Sequence, residues 1–316
     1  MPNTLAHFGV QILLTKAAVP KADSKWIGLG CLLPDIPWIL QRLLAGVPRI
    51  DPVDLRIYTI IQSSLFFCLL LSATIALLTR NSRKVFLILA LNSLLHLLLD
   101  ACQIKWANGS LFFAPFYWKL TGFAWFWPED RLSLLLTVFG LIVFLPAAWR
   151  DRTKKTARKA LVNRHAPSTP VYKHTGNKKR LALLLSAGYF LLPFCFFTGP
   201  ISANNHYVAT LRSAQRRGLE FRLDRRPYRG SDQTVLSYNR ERFHLKGENL
   251  PVQNSILSLQ GQFITDDTIL VEDYHVHQGH RDSASKIGIF LLGMVWLVAL
   301  REKRSKIGKT IHEQNG

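Results

Sequence analysis

Asn92–Pro115 reads NSLLHLLLDACQIKWANGSLFFAP, and it overlaps the end of an apolar run, Val85–Ile104. That run is about 30 Å long as a helix, the thickness of a bilayer's hydrocarbon core. His96 and Asp100 lie four residues apart within it, so they share one face of the predicted helix. Ionisable side chains at membrane depth are costly; they usually face a bundle interior and serve a purpose there. An imidazole and a carboxylate one turn apart can hold a metal ion, or can act as a base and its orienting carboxylate. The same pair also fits a plain hydrogen bond that ties two helices together.

Around this helix the composition is bunched. Hydrophobic residues make up 48% of the 316 and charged ones only 19%, while the net charge is +20. In a soluble chain that charge would point to nucleic acid. Here it gathers between apolar runs, which points to membrane topology, and no nucleic-acid partner is expected. The four cysteines, at 31, 68, 102 and 195, lie in or beside apolar runs and form no C-x-x-C pair. Neither a disulfide framework nor a cysteine zinc site is expected.

The fold class that follows is an α-helical polytopic membrane protein of six or seven spans, with a small antiparallel β-domain inserted before the last helix. Apolar segments cover 5–20 (short for a span), 26–46, 57–78, 85–104, 132–149, 181–198 and 287–300. Leu33-Pro34-Asp35-Ile36-Pro37 breaks the second of them, and broken helices are tolerated where they pack against protein or line a cavity. Ten aromatic residues between Trp106 and Trp127 suit a membrane interface. The expected domains are a membrane-embedded helical domain at 1–149, a basic cytoplasmic linker at 150–180 and a transmembrane helix at 181–200. An outward-facing small β-domain at 201–286, OB-like by strand count, and a last helix with a basic tail at 287–316 complete the chain.

Positive charge sets the orientation. Residues 150–180 carry eleven Lys/Arg against Asp151, and Arg80, Arg83 and Lys84 make a turn without acids. These segments and the tail should be cytoplasmic, which leaves 105–131 and 201–286 outside. His7, Asp35, Gln62, His96 and Asp100 then fall near the membrane's centre or in its outer half. A single site open to the outer side would account for that shared depth. In 201–286, strands are expected at Glu220–Leu223, Thr234–Tyr238, Ser255–Ile264 and Thr268–His277, with a hairpin turn at Asp266-Asp267.

The candidate site is therefore His7, Asp35, His96 and Asp100, with Gln62 as a possible further member; these residue types suit zinc or another divalent ion. A second set, His275, His277 and His280, could hold a metal if a strand turns the first two to one side; ordinary solvated histidines are the preferred reading.

Thr4-Leu-Ala-His7-Phe-Gly9, Leu32-Leu-Pro-Asp35-Ile, Ser93-Leu-Leu-His96-Leu-Leu-Leu-Asp100 and the later Pro115-Phe116 resemble a family of inner-membrane metal-dependent hydrolases. Some of its members are described as LexA-binding and inner-membrane-associated, and its ligand pattern is similar to that of zinc-dependent phospholipase C. The resemblance covers Met1–Trp149. It implies that His7, Asp35, His96 and Asp100 are metal ligands, with His7, His96 and Asp100 catalytic, and that the ion is a divalent metal, zinc first. It further implies a multi-pass protein of the bacterial inner membrane, in contact with membrane lipids, that hydrolyses a phosphoester or lipid-like substrate at the outer side. The family usually has Thr-His-Ser where this chain has Ile61-Gln62-Ser63. The rival is a catalytically inactive membrane scaffold whose β-domain makes the functional contacts. No protein partner can be named from the sequence.

Overall fold

The computed structural model describes residues 4–162, 176–204 and 207–314. It is mostly helical, with a small mixed sheet. Helix α1 is Thr4–Ala18. Asp23 caps α2, Ser24–Leu32, by accepting a bond from the backbone N–H of Lys25. Pro34 and Pro37 then cannot donate to a continuing helix. The chain passes through a 3-10 turn, Leu33–Asp35, before α3, Ile36–Leu44, and this break sets Asp35 inside the bundle.

Asp51 caps α4, Pro52–Gln62, and α5 is Leu65–Leu77. The sequence predicts one full span over 57–78; the structure has two helices bent by 70°. The kink falls at Ser63-Ser64. The N–H of Leu65 leaves the helical ladder and donates to the carbonyl of Leu111 in the aromatic loop, 3.0 Å away. Helix α6 is Ser82–Ala101 and α7 is Arg131–Val162. Residues 150–162, expected as part of a linker, instead continue α7; the rest of that linker up to 175 lies outside the described residues. Helix α8 is Gly176–Cys195 and α9, Thr198–Asn204, is bent from it by 49°. After α10, Val208–Arg212, and the sheet comes α11, His280–Gln314.

Among the described residues four helices are long and apolar enough to cross a membrane, or up to six if each bent pair counts as one span. Helix α1 is not among them; its 15 residues reach about 22 Å. At one end of the bundle the Lys16 ammonium and the Ser24 N–H both bind Asp151, at 2.9 and 2.8 Å, and Lys84 reaches the carbonyl of Lys21. Helices α1 and α7 cross at Gly9 and Gly140 so closely that a Cβ on Gly140 would collide with the carbonyl oxygen of Leu5.

At the other end five strands close into a barrel: β1 (Glu220–Arg229), β2 (Thr234–Leu236), β3 (Arg242–Lys246), β4 (Ser255–Phe263) and β5 (Thr268–His277), ordered β1-β2-β3-β5-β4. The expected antiparallel sheet is mixed, because β4 intervenes in sequence and returns β5 parallel to β3. The hairpin around Asp266-Asp267 joins β4 to β5. Phe221, Leu223, Phe243, Leu245, Leu257, Leu259, Phe263 and Ile269 fill the barrel, and its core runs on into α4 and α5 through Tyr207, Ile57 and Phe67. Strand β1 bulges between Leu223 and Arg226, with Arg225 at φ 52°. Bulges re-aim side chains, and this one sits where the barrel meets the aromatic loop.

Candidate metal centre

Two rows of polar residues face each other across α1 and α6. His7, Gln11 and Thr15 recur every fourth residue on one helix, and Asn92, His96 and Asp100 do so on the other. All six are buried. Thr15 Oγ1 donates to Asn92 Oδ1 at 3.1 Å, which fixes the register of the two helices. At the far end of the rows the imidazoles of His7 and His96 lie face to face, 4.0 Å apart and 5° from parallel.

Carboxylates bracket this stack. His7 Nε2 is 3.4 Å from Asp100 Oδ1, and His96 Nε2 is 3.3 Å from Asp35 Oδ1. Lys105 Nζ is 3.0 Å from Asp100 Oδ2, and Gln103 Nε2 donates to Asp100 Oδ1 at 3.3 Å. The chain thus brings His7, Asp35, His96 and Asp100 to one place. His7, His96 and Asp100 are the closer set, with candidate ligand atoms all within 4.8 Å of one another.

Both ring nitrogens of both histidines, and Oδ1 of Asp35, are buried with no hydrogen-bond partner of acceptable geometry. Buried polar atoms are rarely left so, and each costs about 1–3 kcal/mol. Imidazole nitrogen and carboxylate oxygen are the donors a zinc-like ion takes. The orphaned atoms are of that kind and gather in one spot, so the residues present fit a divalent ion.

Gln62 does not join them. Its Nε2 donates to Tyr58 Oη at 3.0 Å and to the carbonyl of Tyr189 at 3.1 Å, toward α8. The expectation that it faces His96 and Asp100 is corrected. The kink that follows it turns the helix, and the neighbouring Ser63 takes the place beside the site.

Asp35, Ser63 and Asp100 border a cavity of 390 Å³ between the helices and the barrel; its other wall includes Asp224, Arg226 and Tyr238. Sequence reasoning missed Lys105, Arg56 and Arg226, which also line it.

The second histidine set also gathers, but with Glu129 as its carboxylate. His277 Nδ1 is 3.0 Å and His275 Nε2 3.6 Å from the Glu129 oxygens, and the set is close enough to hold an ion. The side chain of His280 lies outside the described residues. Arg225 already supplies a cation here: it pairs with Glu129 and lies 3.0 Å from His277 Nδ1. Burial alone would raise the Glu129 carboxyl, but the adjacent imidazoles of His275 and His277 and the charge of Arg225 hold it well below the usual carboxylate range. His277 Nε2 lies 2.7 Å from Ser258 Oγ, which donates to Asp224. Asp224 in turn accepts from the backbone N–H groups of Trp106 and Ala107, each at 3.0 Å. The ring of Trp127 stacks on His275 at 3.8 Å. This network fastens the barrel to the aromatic loop.

Comparison with models of known protein families, with curated proteins and with solved structures finds no match for the chain.

Proposed function

We propose that the chain is a multi-pass protein of the bacterial inner membrane and a metal-dependent hydrolase, acting at the outer side on a phosphoester or lipid-like substrate. The observation that carries this is the buried pair of stacked imidazoles, whose nitrogens lack hydrogen-bond partners of acceptable geometry, bracketed by two carboxylates that border a cavity. His7, His96 and Asp100 would hold the ion, with Asp35 beside His96. A bound zinc would supply Lewis-acid charge at a phosphoryl oxygen. Lys105 and Gln103 hold the Asp100 carboxylate in one orientation. Asp35 faces the Nε2 atom of His96 at 3.3 Å and would orient that ring. Burial keeps bulk water from the imidazoles and strengthens every charge interaction there.

A test is release of nitrophenol from bis-p-nitrophenyl phosphate by zinc-loaded protein in detergent. Asp35→Asn should cut the rate about 10- to 100-fold, since loss of a partner that orients an active-site imidazole typically costs that much. No turnover by loaded wild type at any pH from 6 to 9 would leave the reading without support.

One contact favours the scaffold instead. Lys105 already meets Asp100 at 3.0 Å, so the ammonium could be the cation the carboxylate needs. Metal content separates the two readings, as argued below.

The membrane reading draws support from the sorting of loops. The basic segments around Lys16–Lys25, Lys84 and Asp151 meet at one end, and the barrel packs on the aromatic loop at the other. In that loop Phe113, Phe116 and Trp125 are exposed, as befits side chains at a headgroup layer. Ser231→Cys in a cysteine-free background should label from outside intact cells, and Ser168→Cys only after lysis. The reverse pattern would invert the topology and put the cavity on the cytoplasmic side.

A further inference from the structure

The cavity that Asp35 and Asp100 border is also lined by two arginines, Arg56 and Arg226. Arg56 of α4 is 9% exposed. Its Nε donates to the Tyr207 hydroxyl, its Nη2 donates to Asn108 Oδ1 at 3.0 Å, and its guanidinium lies 3.7 Å from the centre of the Tyr238 ring. Arg226 follows the bulge of β1. Its Nε and Nη2 donate to the carbonyls of Leu236 and Ser237, at 2.8 and 2.6 Å, and it lies 5.2 Å from the same Tyr238 ring. Among the described residues neither arginine forms an ion pair, and Nη1 of each has no hydrogen-bond acceptor.

A buried guanidinium without an anion is costly, and aromatic faces offset only part of that cost. Asp224 acts on the charge of Arg56 only at a distance, through Asn108. Asp224 is occupied by Trp106, Ala107, Asn108 and Ser258, and Asp100 by Lys105 and Gln103. What remains is two planar donor forks, held by carbonyls, a hydroxyl and rings, bordering a space large enough for a small ligand. Rigid arginine forks match the tetrahedral, multiply charged oxygens of a phosphate.

The geometry points to an anion-binding site formed by Arg56 and Arg226 beside Tyr238, which takes the phosphate of the substrate in the cavity that Asp35 and Asp100 border. One arginine comes from the helical bundle and the other from the barrel, so the site is complete only when the two are docked. This deepens the hydrolase reading and rests on it for what happens to the bound phosphate, but anion binding itself requires no metal.

The experiment is calorimetric titration of metal-stripped full-length protein in detergent with inorganic phosphate, with dihexanoylphosphatidylglycerol and with zwitterionic dihexanoylphosphatidylcholine. Wild type should bind at least one of the two anionic probes and bind the zwitterion more weakly. Binding of phosphate alone identifies a free phosphate as the ligand; binding of the anionic lipid alone, or much more tightly, identifies a headgroup. Arg226→Gln and Arg56→Lys should each weaken binding roughly tenfold or more, as expected for loss of a charge-assisted fork. Arg222→Gln, on the exposed face of β1, should not change it. Because Arg56 is buried, thermal unfolding of each variant is measured first; Arg226→Gln, which leaves Arg56 in place, keeps the test sharp if Arg56→Lys does not fold. Absence of anion binding by folded wild type, or equal affinity in wild type and Arg226→Gln, overturns the proposal. If the protein holds no metal yet loses anion binding in Arg226→Gln, the hydrolase reading fails and this site stands.

Discussion

Protein purified in detergent is expected to carry a divalent ion that His96→Ala and Asp100→Ala each remove, as read by elemental analysis of the three proteins side by side. His96 stacks on His7 and faces Asp35, so its loss deletes one ligand and strips Asp35 of its partner. Asp100 is the carboxylate nearest His7 and is also 4.0 Å from His96, so its loss removes the only acidic member of the closest set. Removing one ligand from a small site typically lowers metal affinity by orders of magnitude, because the remaining donors cannot close the coordination shell. Gln62→His should gain nothing, since that side chain points at Tyr58 and Tyr189. If all three proteins carry equal metal, the ion is elsewhere or absent. In that case Lys105 is the cation that Asp100 was built for, and the scaffold reading prevails.

The parts of this arrangement legible in the sequence are those written at one helical period. His96 and Asp100 announce themselves by their spacing within an apolar run, and Leu-Pro-Asp announces a break with a carboxylate in it. The matching row on α1 was equally present as His7, Gln11 and Thr15, but only the packing of α1 on α6 turns two rows into one ladder. The kink after Gln62 was not legible. Hydropathy continues across Ser63-Ser64, and the cause lies in Leu111, a residue of another segment. Strand β3 was missed although its alternation is in the sequence: Phe243 and Leu245 point in while Arg242, His244 and Lys246 point out. Arg56 and Arg226 carry no local signature. Arg56 stands just before the expected span 57–78 and Arg226 just beyond the expected strand Glu220–Leu223; they acquire meaning only because the barrel docks on α4. A carboxylate partner for His275 and His277 was likewise invisible, since Glu129 comes from a loop far away in sequence.

The site also depends on a contact with no chemistry of its own. Gly140→Ala is expected to lower the thermal unfolding midpoint and the metal content together. A methyl group there falls on the carbonyl oxygen of Leu5, and one on Gly9 falls on the Cα of Gly140, so neither helix has a flexible side chain that can give way. Relief requires α1 to move as a body, and overpacking of this kind costs about 1–3 kcal/mol. Leu5 and Gly9 flank His7 at two residues on either side. A displacement of α1 therefore carries the His7 ring off His96 and away from Asp100, which weakens the ion's hold without touching a ligand. Gly293→Ala in α11 is the control: a Cβ there meets nothing within 4 Å. In a helix that change is neutral or stabilising by up to about 1 kcal/mol. If Gly140→Ala unfolds at the wild-type temperature with its metal intact, α1 has room to shift, and the position of His7 does not depend on the glycine crossing.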